Sequence, residues 1–127
     1  MKEQEAVPGQ SEDAVLDAAT LGLRQLGERA TLVHFSSAFC QPCRATRRTL
    51  AEVGGMVAGV SHVEIDAEEQ LALVRRLGIQ STPAVLVLDA GGRVVRRGYG
   101  QPRRADVIAA LGAAAGGAGE GRGAGRD

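Results

Sequence analysis

The two cysteines of the chain are Cys40 and Cys43, in the segment FSSAFCQPCRATRRTL, which covers residues 35–50. Three kinds of chemistry use two thiols at this spacing: half of a metal site, a structural disulfide, and a redox-active pair. A structural zinc site takes about four ligands, and beyond these thiols the sequence offers only His34 and His62 as histidine ligands. The residues on either side of the pair bear on the choice.

An apolar run precedes the cysteines and a helical segment follows them. TLVHF (31–35) predicts a strand, and residues 44–53 predict a helix with an apolar edge. Cys40 would then lie at a helix N-terminus, where free N–H groups and the helix dipole stabilise a thiolate. Cys43, one turn later, can reach back to resolve a mixed disulfide. Pro42 fits the first turn, since its missing N–H costs no helical hydrogen bond.

The remaining segments predict an α/β fold. The predicted order is helix 11–27, strand 31–35, helix 44–53, strand 60–66, helix 68–78, strand 84–89, strand 93–100 and helix 103–113. Strand–helix–strand units imply a parallel pair, and the last hairpin adds an antiparallel strand. We therefore expect a central mixed sheet of about four strands with helices on both faces. We expect one domain, 11–113, between a disordered segment, 1–10, and a disordered Gly/Ala-rich tail, 114–127.

Composition excludes several classes of partner. The 127 residues include 15 basic and 15 acidic side chains, so there is no net charge to attract nucleic acid or an anionic membrane. No stretch approaches the roughly 18 apolar residues of a membrane helix, and the N-terminus lacks the apolar region of a secretory signal. We therefore expect a cytoplasmic protein, with a membrane-anchored longer form as the alternative. A reducing compartment argues against a structural disulfide.

These motifs, taken in order, resemble the thioredoxin family over about residues 30–111. The strand LVHF, the pair in FCQPC, the following helix and the segment STPAVLVL match the family's order and spacing. The resemblance implies a thioredoxin-like three-layer sandwich and thiol–disulfide exchange with protein substrates, with Cys40 and Cys43 as the redox pair. It also implies that Pro83, after Thr82, is a cis-proline facing the pair, and that Gly98 is a glycine packed near the site.

The resemblance also indicates the surroundings of the pair. The residues expected to bind substrate are Phe39, Gln41, Pro42, Thr82, Pro83 and Gly98. Exchange of this kind needs neither an organic cofactor nor a metal. The expected partners are proteins with disulfides or thiols and an electron donor of the thioredoxin-reductase type, with no nucleic acid or membrane. The chain itself is expected to be a monomer.

Five positions depart from the family pattern: Phe39 replaces a usual Trp, Gln41 a Gly, His34 a buried acid, His62 a partly buried Lys, and Arg48 a helix-kinking Pro. His34 has two interpretations, a proton carrier for Cys43 or a core histidine with its hydrogen bonds satisfied. The arginines of the motif helix are interpreted as a solvated face. The departures leave two alternatives open, a redox-silent binding or adaptor module of the same fold and a cysteine-based metal-handling protein.

Overall fold

Four strands and three α-helices are arranged along residues 14–116, the part of the chain described by the structure, a computed structural model. Their bounds are β1 Ala30–Ser36, α1 Gln41–Met56, β2 Val60–Asp66, α2 Leu71–Leu77, β3 Ala84–Asp89, β4 Val94–Tyr99 and α3 Arg104–Leu111. Every strand predicted from the sequence is present.

The four strands form one mixed sheet in the order β2-β1-β3-β4. β1 pairs with β2 in parallel, whereas β3 is antiparallel to both β1 and β4. The predicted parallel pair and the antiparallel hairpin are therefore confirmed. The central strand β1 is buried along its whole length, as its run of apolar residues requires.

The two faces of the sheet carry separate apolar clusters. On one face α1 and α3 pack against the sheet, through Ala30, Leu32, Leu50, Val53, Val85, Val87, Val107 and Leu111. On the other face α2 and the segment before β1 pack against it, through Leu16, Leu21, Val33, Phe35, Leu73, Leu77, Leu86 and Leu88. The predicted sandwich with helices on both sides of the sheet is thus confirmed.

The helices differ from their predicted lengths at the ends. The N-cap of α1 is Cys40, and the helix runs through Gly54 and Gly55 to Met56, past its predicted end at residue 53. Helix α2 begins at Leu71 rather than residue 68, because Asp66 holds a turn there: its side chain accepts the N–H of Glu68 at 2.8 Å. Gly78 ends α2 in the left-handed conformation, φ 69°.

The helix predicted over 11–27 is wrong for residues 14–27, which contain turns and bends but no helix. The backbone N–H groups that a helix would use are engaged elsewhere. Leu16 donates to the carbonyl of Gly92 at 2.9 Å, and the Asp17 carboxylate accepts the N–H of Thr20 at 2.8 Å. Gly22 then turns the chain with φ 76°. The predicted start of this helix, at residues 11–13, lies outside the described residues.

Helix α3 continues into a π-helical turn, Gly112–Gly116, whose Ala114 is only 1% exposed and packs in the core. The described structure therefore reaches three residues past the predicted domain end at 113. The segment 1–10 and residues 117–127 of the predicted tail lie outside the described residues. Between residues 14 and 116, no helix is long and apolar enough to cross a membrane.

Candidate active site

Cys40 and Cys43 form a disulfide at the N-terminal end of α1, with an S–S distance of 2.06 Å. Cys40 is the N-cap, and its Sγ accepts a hydrogen bond from the backbone N–H of Cys43 at 3.1 Å. Cys43 is only 2% exposed, whereas Cys40 is partly buried. A backbone N–H and a helix N-terminus both favour negative charge, so Cys40 is the sulfur better suited to be a thiolate.

Three predicted substrate-binding residues border the pair. Phe39 is fully exposed, at 104%, and its φ of 62° makes it the one non-glycine residue with positive φ among residues 14–116. That conformation is uncommon for a bulky side chain and often marks a functional position. Gln41 and Pro42 are exposed in the first turn of α1.

The loop before β3 lies beside the loop that leads to Cys40. The Thr82–Pro83 peptide bond is cis. The hydroxyl groups of Ser37 and Thr82 share a hydrogen bond of 2.9 Å, and the carbonyl of Pro83 accepts the N–H of Gly100 at 2.8 Å. Because β1 and β3 are antiparallel, the end of one meets the start of the other. The structure therefore brings Thr82 and Pro83 to the same end of the sheet as the cysteine loop.

Gly98 lies on β4, opposite Val85 of β3. A Cβ at this position would meet no heavy atom within 4 Å, so packing between described residues does not require glycine. The residue also lines a cavity of about 530 Å³ between β4 and α3. Its role in substrate binding stays a prediction. The open space beside Gly98 is consistent with that role, because the backbone of a substrate could approach there.

His34 is completely buried in β1, at 0% exposed. Neither of its ring nitrogens has a hydrogen-bond partner within residues 14–116, so a core histidine with satisfied hydrogen bonds is not what the structure shows. Burial lowers the pKa of His34 from its ordinary 6.5 to about 4, because desolvation disfavours the cation. The imidazole is therefore neutral near pH 7, and the same burial makes it a weaker base than an exposed histidine.

The course of α1 places the buried cysteine over the same end of β1 as His34. α1 follows β1 through a short loop and runs back over it, so that Leu50 and Val53 pack with Leu32 near the start of β1. Cys43 precedes Leu50 by about two helical turns. It therefore lies toward the end of β1, on the sheet face that carries His34.

Two charged residues that sequence reasoning did not assign to the site lie beside His34. Arg47 of α1 binds both carboxylate oxygens of Glu64, with Nε–Oε1 and Nη2–Oε2 distances of 2.6 and 2.7 Å. Glu64 of β2 is the register partner of His34. The hydrogen bonds from Arg47 lower the pKa of Glu64 to about 2. The sequence places Arg47 one helical turn after Cys43 and Glu64 on the same strand face as His62, but it does not show that the two side chains meet.

His62 lies on β2, opposite Leu32 in the register and on the same sheet face as Glu64. Its Nε2 is buried and has no hydrogen-bond partner among residues 14–116, and burial lowers the pKa of its imidazole. Within the same residues, no three or more His, Cys, Asp or Glu side chains are grouped so that they could hold a metal ion.

A family model described as the thioredoxin-like domain matches residues 16–115. The chain belongs to the thioredoxin-like family. The resemblance found in the sequence is thereby confirmed, together with the α/β fold that it implied. No curated protein sequence matches the chain significantly.

Solved thioredoxins superpose on most of this thioredoxin-like domain. Chloroplastic thioredoxin z is 26% identical, with a TM-score of 0.58 over 67% of this chain and 77% of its own. Thioredoxin f from spinach chloroplast is 21% identical, with a TM-score of 0.61 over 76% and 80%. A mutant thioredoxin from Halobacterium salinarum is 17% identical, with a TM-score of 0.62 over 69% and 76%. The last two similarities show the fold alone.

Proposed function

We propose that this thioredoxin-like protein is a thiol–disulfide oxidoreductase that acts on proteins through Cys40 and Cys43. The observation that carries the proposal is that the two sulfurs of the disulfide differ in exposure and in hydrogen bonding. Cys40 is partly accessible and receives a backbone N–H at a helix N-terminus, whereas Cys43 is buried beside it. Such a pair has one sulfur for attack and one for resolution.

In the reducing direction, the thiolate of Cys40 attacks one sulfur of a substrate disulfide and expels the other as a thiolate. The product is a mixed disulfide between Cys40 and the substrate. The thiol of Cys43 then loses its proton, attacks the Cys40 sulfur and releases the second substrate thiolate. Two electrons pass to the substrate, and the Cys40–Cys43 disulfide seen here is formed. The oxidising direction is the reverse, with the same intermediate.

Proton transfer from Cys43 is the step that needs a second group. His34 is neutral, is buried on the same face of the sheet and has two ring nitrogens without partners within residues 14–116. It is the residue we assign to accept that proton, which would convert it to an imidazolium beside the new thiolate.

The substrate is expected to bind past the exposed Phe39 and Gly98 and the loop of Thr82 and Pro83, in which Thr82 is partly exposed and Pro83 is buried. An extended segment would add strand-like hydrogen bonds at the exposed backbone near Thr82 and insert beside the Phe39 ring. A reductase-type electron donor would regenerate the dithiol after each turnover.

Reduction of a protein disulfide such as that of insulin tests the proposal. Wild-type protein should catalyse it, Cys40→Ser should not, and Cys43→Ser should accumulate a mixed disulfide that can be isolated. Thiol titration should find two free thiols in the reduced protein and none in the oxidised protein, with reversible conversion between the two states. If the cysteine pair cannot be converted reversibly, the protein would instead be a binding module. Stoichiometric metal in protein purified under reducing conditions would indicate the metal-handling alternative.

A further inference from the structure

The face of the sheet under α1 contains an ionic group outside the exchange reaction described above. Arg47 engages both carboxylate oxygens of Glu64, at 2.6 and 2.7 Å. His34, the register neighbour of Glu64, has no hydrogen-bond partner for either nitrogen within residues 14–116. The carboxylate is thus bound by the arginine, with a further hydrogen bond from Ser36, and not by the histidine beside it.

A carboxylate next to a buried imidazole ordinarily favours the imidazolium, as an opposite charge within about 4–6 Å raises a histidine pKa by about one to three units. Glu64 occupies a position from which it could act in this way on His34. The fork of the guanidinium matches a carboxylate in a planar, two-bond geometry, which makes arginine a strong competitor for those oxygens.

We propose that Arg47 is a positioning residue: by binding the Glu64 carboxylate, it withholds that charge from His34 and so lowers the basicity of the imidazole that takes the proton of Cys43. The inference rests on the proposed exchange function of the cysteine pair. In this arrangement Glu64 is a shared partner, and the balance between Arg47 and His34 shifts the pH at which the imidazole takes up a proton.

The charged and titratable groups that face His34 come from two elements. β2 contributes Glu64 and His62, and α1 contributes Arg47, while the register neighbour from β3 is the apolar Val85. Desolvation is the largest cause that lowers the pKa of His34; Glu64 raises it, and His62 and Arg47 lower it. The contributions of Arg47 and Glu64 are therefore of opposite sign.

Removing the charge of Arg47 and the charge of Glu64 in separate variants should change the pKa of His34 in opposite directions. Arg47→Gln frees the carboxylate and removes a cation, so the pKa of His34 should rise, by about one unit. Glu64→Gln removes the anion and leaves the guanidinium, so the pKa of His34 should fall. The double variant should lie between the single variants. Arg47→Lys keeps the charge but not the two-bond geometry, so it should give a smaller rise than Arg47→Gln.

The measurement is an NMR titration of the imidazole nitrogens in the oxidised, untagged full chain. The chain has two histidines, so His34 and His62 can be followed separately. Arg48→Gln is the matched control, because it removes one positive charge from an exposed position next to Arg47 on the same helix. It should leave the pKa of His34 close to that of the wild type. Circular dichroism of each variant checks that the fold is intact.

A second readout follows the reaction itself. The pH profile of the resolution step should shift to higher pH in Arg47→Gln and to lower pH in Glu64→Gln, with KM for the disulfide substrate unchanged. A purely structural ion pair would lower stability in both variants without these opposite shifts.

The inference would be overturned if the pKa of His34 changed in the same direction in Arg47→Gln and Glu64→Gln. It would also be overturned if neither change exceeded the change measured in Arg48→Gln. The titration needs no turnover, so its outcome is independent of the proposed function. A protein that shows the opposite shifts but reduces no disulfide would overturn the exchange reaction and keep the electrostatic coupling. If the protein reduces disulfides but the pKa of His34 is unchanged in both single variants, the exchange reaction would stand and the electrostatic coupling would be overturned.

Discussion

Single residues decide how the two sulfurs of this protein differ. Cys40 is the helix N-cap and accepts the N–H of Cys43, whereas Cys43 is closed off at 2% exposed. The same two residue types, three positions apart, therefore differ in hydrogen bonding and in exposure. Both differences follow from the place where the helix begins.

Brief alkylation of the reduced protein below neutral pH should therefore label Cys40 before Cys43. The physical reason is that alkylation needs an accessible thiolate, and the helix N-terminus favours that form at Cys40. Mass spectrometry of the labelled peptides after short exposures measures the order. Cys40→Ser and Cys43→Ser serve as controls for each site alone, and preferential labelling of Cys43 would contradict the assignment.

His34 offers a second prediction at this scale. His34→Leu should slow resolution by Cys43 more than the first attack by Cys40, by about 10²-fold at most, the low end of what a positioned general base contributes, because the lowered pKa of His34 makes it a weak base. Stopped-flow reduction of a model disulfide in single turnover separates the two steps. The attack rate measured in a Cys43→Ser background should be the same with and without His34, and equal slowing of both steps would argue against proton transfer.

Elements that depend on local signals were predictable from the sequence, and those that depend on distant partners were not. β1 and α1 follow from an apolar run, a capping residue and a proline in the first turn. The segment before β1 has helical spacing, yet Leu16 bonds to Gly92, in the hairpin far along the chain. Sequence periodicity does not reveal such a partner.

The residues of the candidate site also differ in whether the sequence identifies them. Cys40, Cys43 and Pro83 were identifiable from short motifs and a family resemblance. The ion pair of Arg47 with Glu64 was not, because it requires the parallel register of β1 with β2 and the rotation of α1 above them. An arginine on a helix face is usually solvated, and only the register shows that this one reaches a strand.

The glycines of two elements give a paired prediction of stability. Gly55 lies inside α1, is exposed, and a Cβ there would meet no atom within 4 Å. Gly55→Ala should therefore stabilise the protein, by at most about 0.5–1 kcal/mol, the cost of glycine in a helix interior, since Gly55 is the next-to-last residue of α1. Gly92, with φ 89°, is the contrasting case, since a Cβ there would collide with the carbonyl oxygen of Leu16. Gly92→Ala should destabilise by more than about 1–3 kcal/mol.

Urea denaturation of the oxidised protein measures both changes. Equal effects of the two substitutions would mean that the backbone conformations at Gly55 and Gly92 are not those described here. Loss of the pairing between Leu16 and Gly92 should also expose Leu16, which is otherwise 0% exposed.

At the scale of the whole molecule, the cysteine pair and the cis-proline loop lie at the same end of the sheet. Two histidines that do not ionise easily lie on the strands β1 and β2. β1 ends where β3 begins, so the cysteine loop and the Thr82–Pro83 loop meet there. Below them, His34 and His62 have pKa values lowered by burial. Protonation of these two histidines in acid therefore opposes the folded state of this part of the molecule.

Acid should destabilise the oxidised protein in two separate ranges of pH. His34 has a pKa of about 4 in the folded chain and an ordinary value of 6.5, so between these values the unfolded chain binds more protons. The free energy of unfolding should therefore fall as pH decreases from about 6.5 to 4, by a few kcal/mol, since one pKa unit corresponds to about 1.4 kcal/mol. His62 contributes in the same direction. Glu64, whose pKa is lowered from 4.5 to about 2 by Arg47, contributes stability that is lost only below its ordinary pKa.

Urea denaturation at a series of pH values, with the disulfide intact, measures both ranges. His34→Leu should flatten most of the fall in the upper range, because an apolar side chain in the same place has no proton to bind in the unfolded state. It should leave the lower range, which belongs to Glu64, unchanged. Glu64→Gln should do the opposite and flatten the lower range. A wild-type free energy of unfolding that stays constant from neutral pH down to about 4.5 would mean that His34 titrates normally in the folded protein, and the neutral imidazole required for accepting the Cys43 proton would then be absent under acidic conditions.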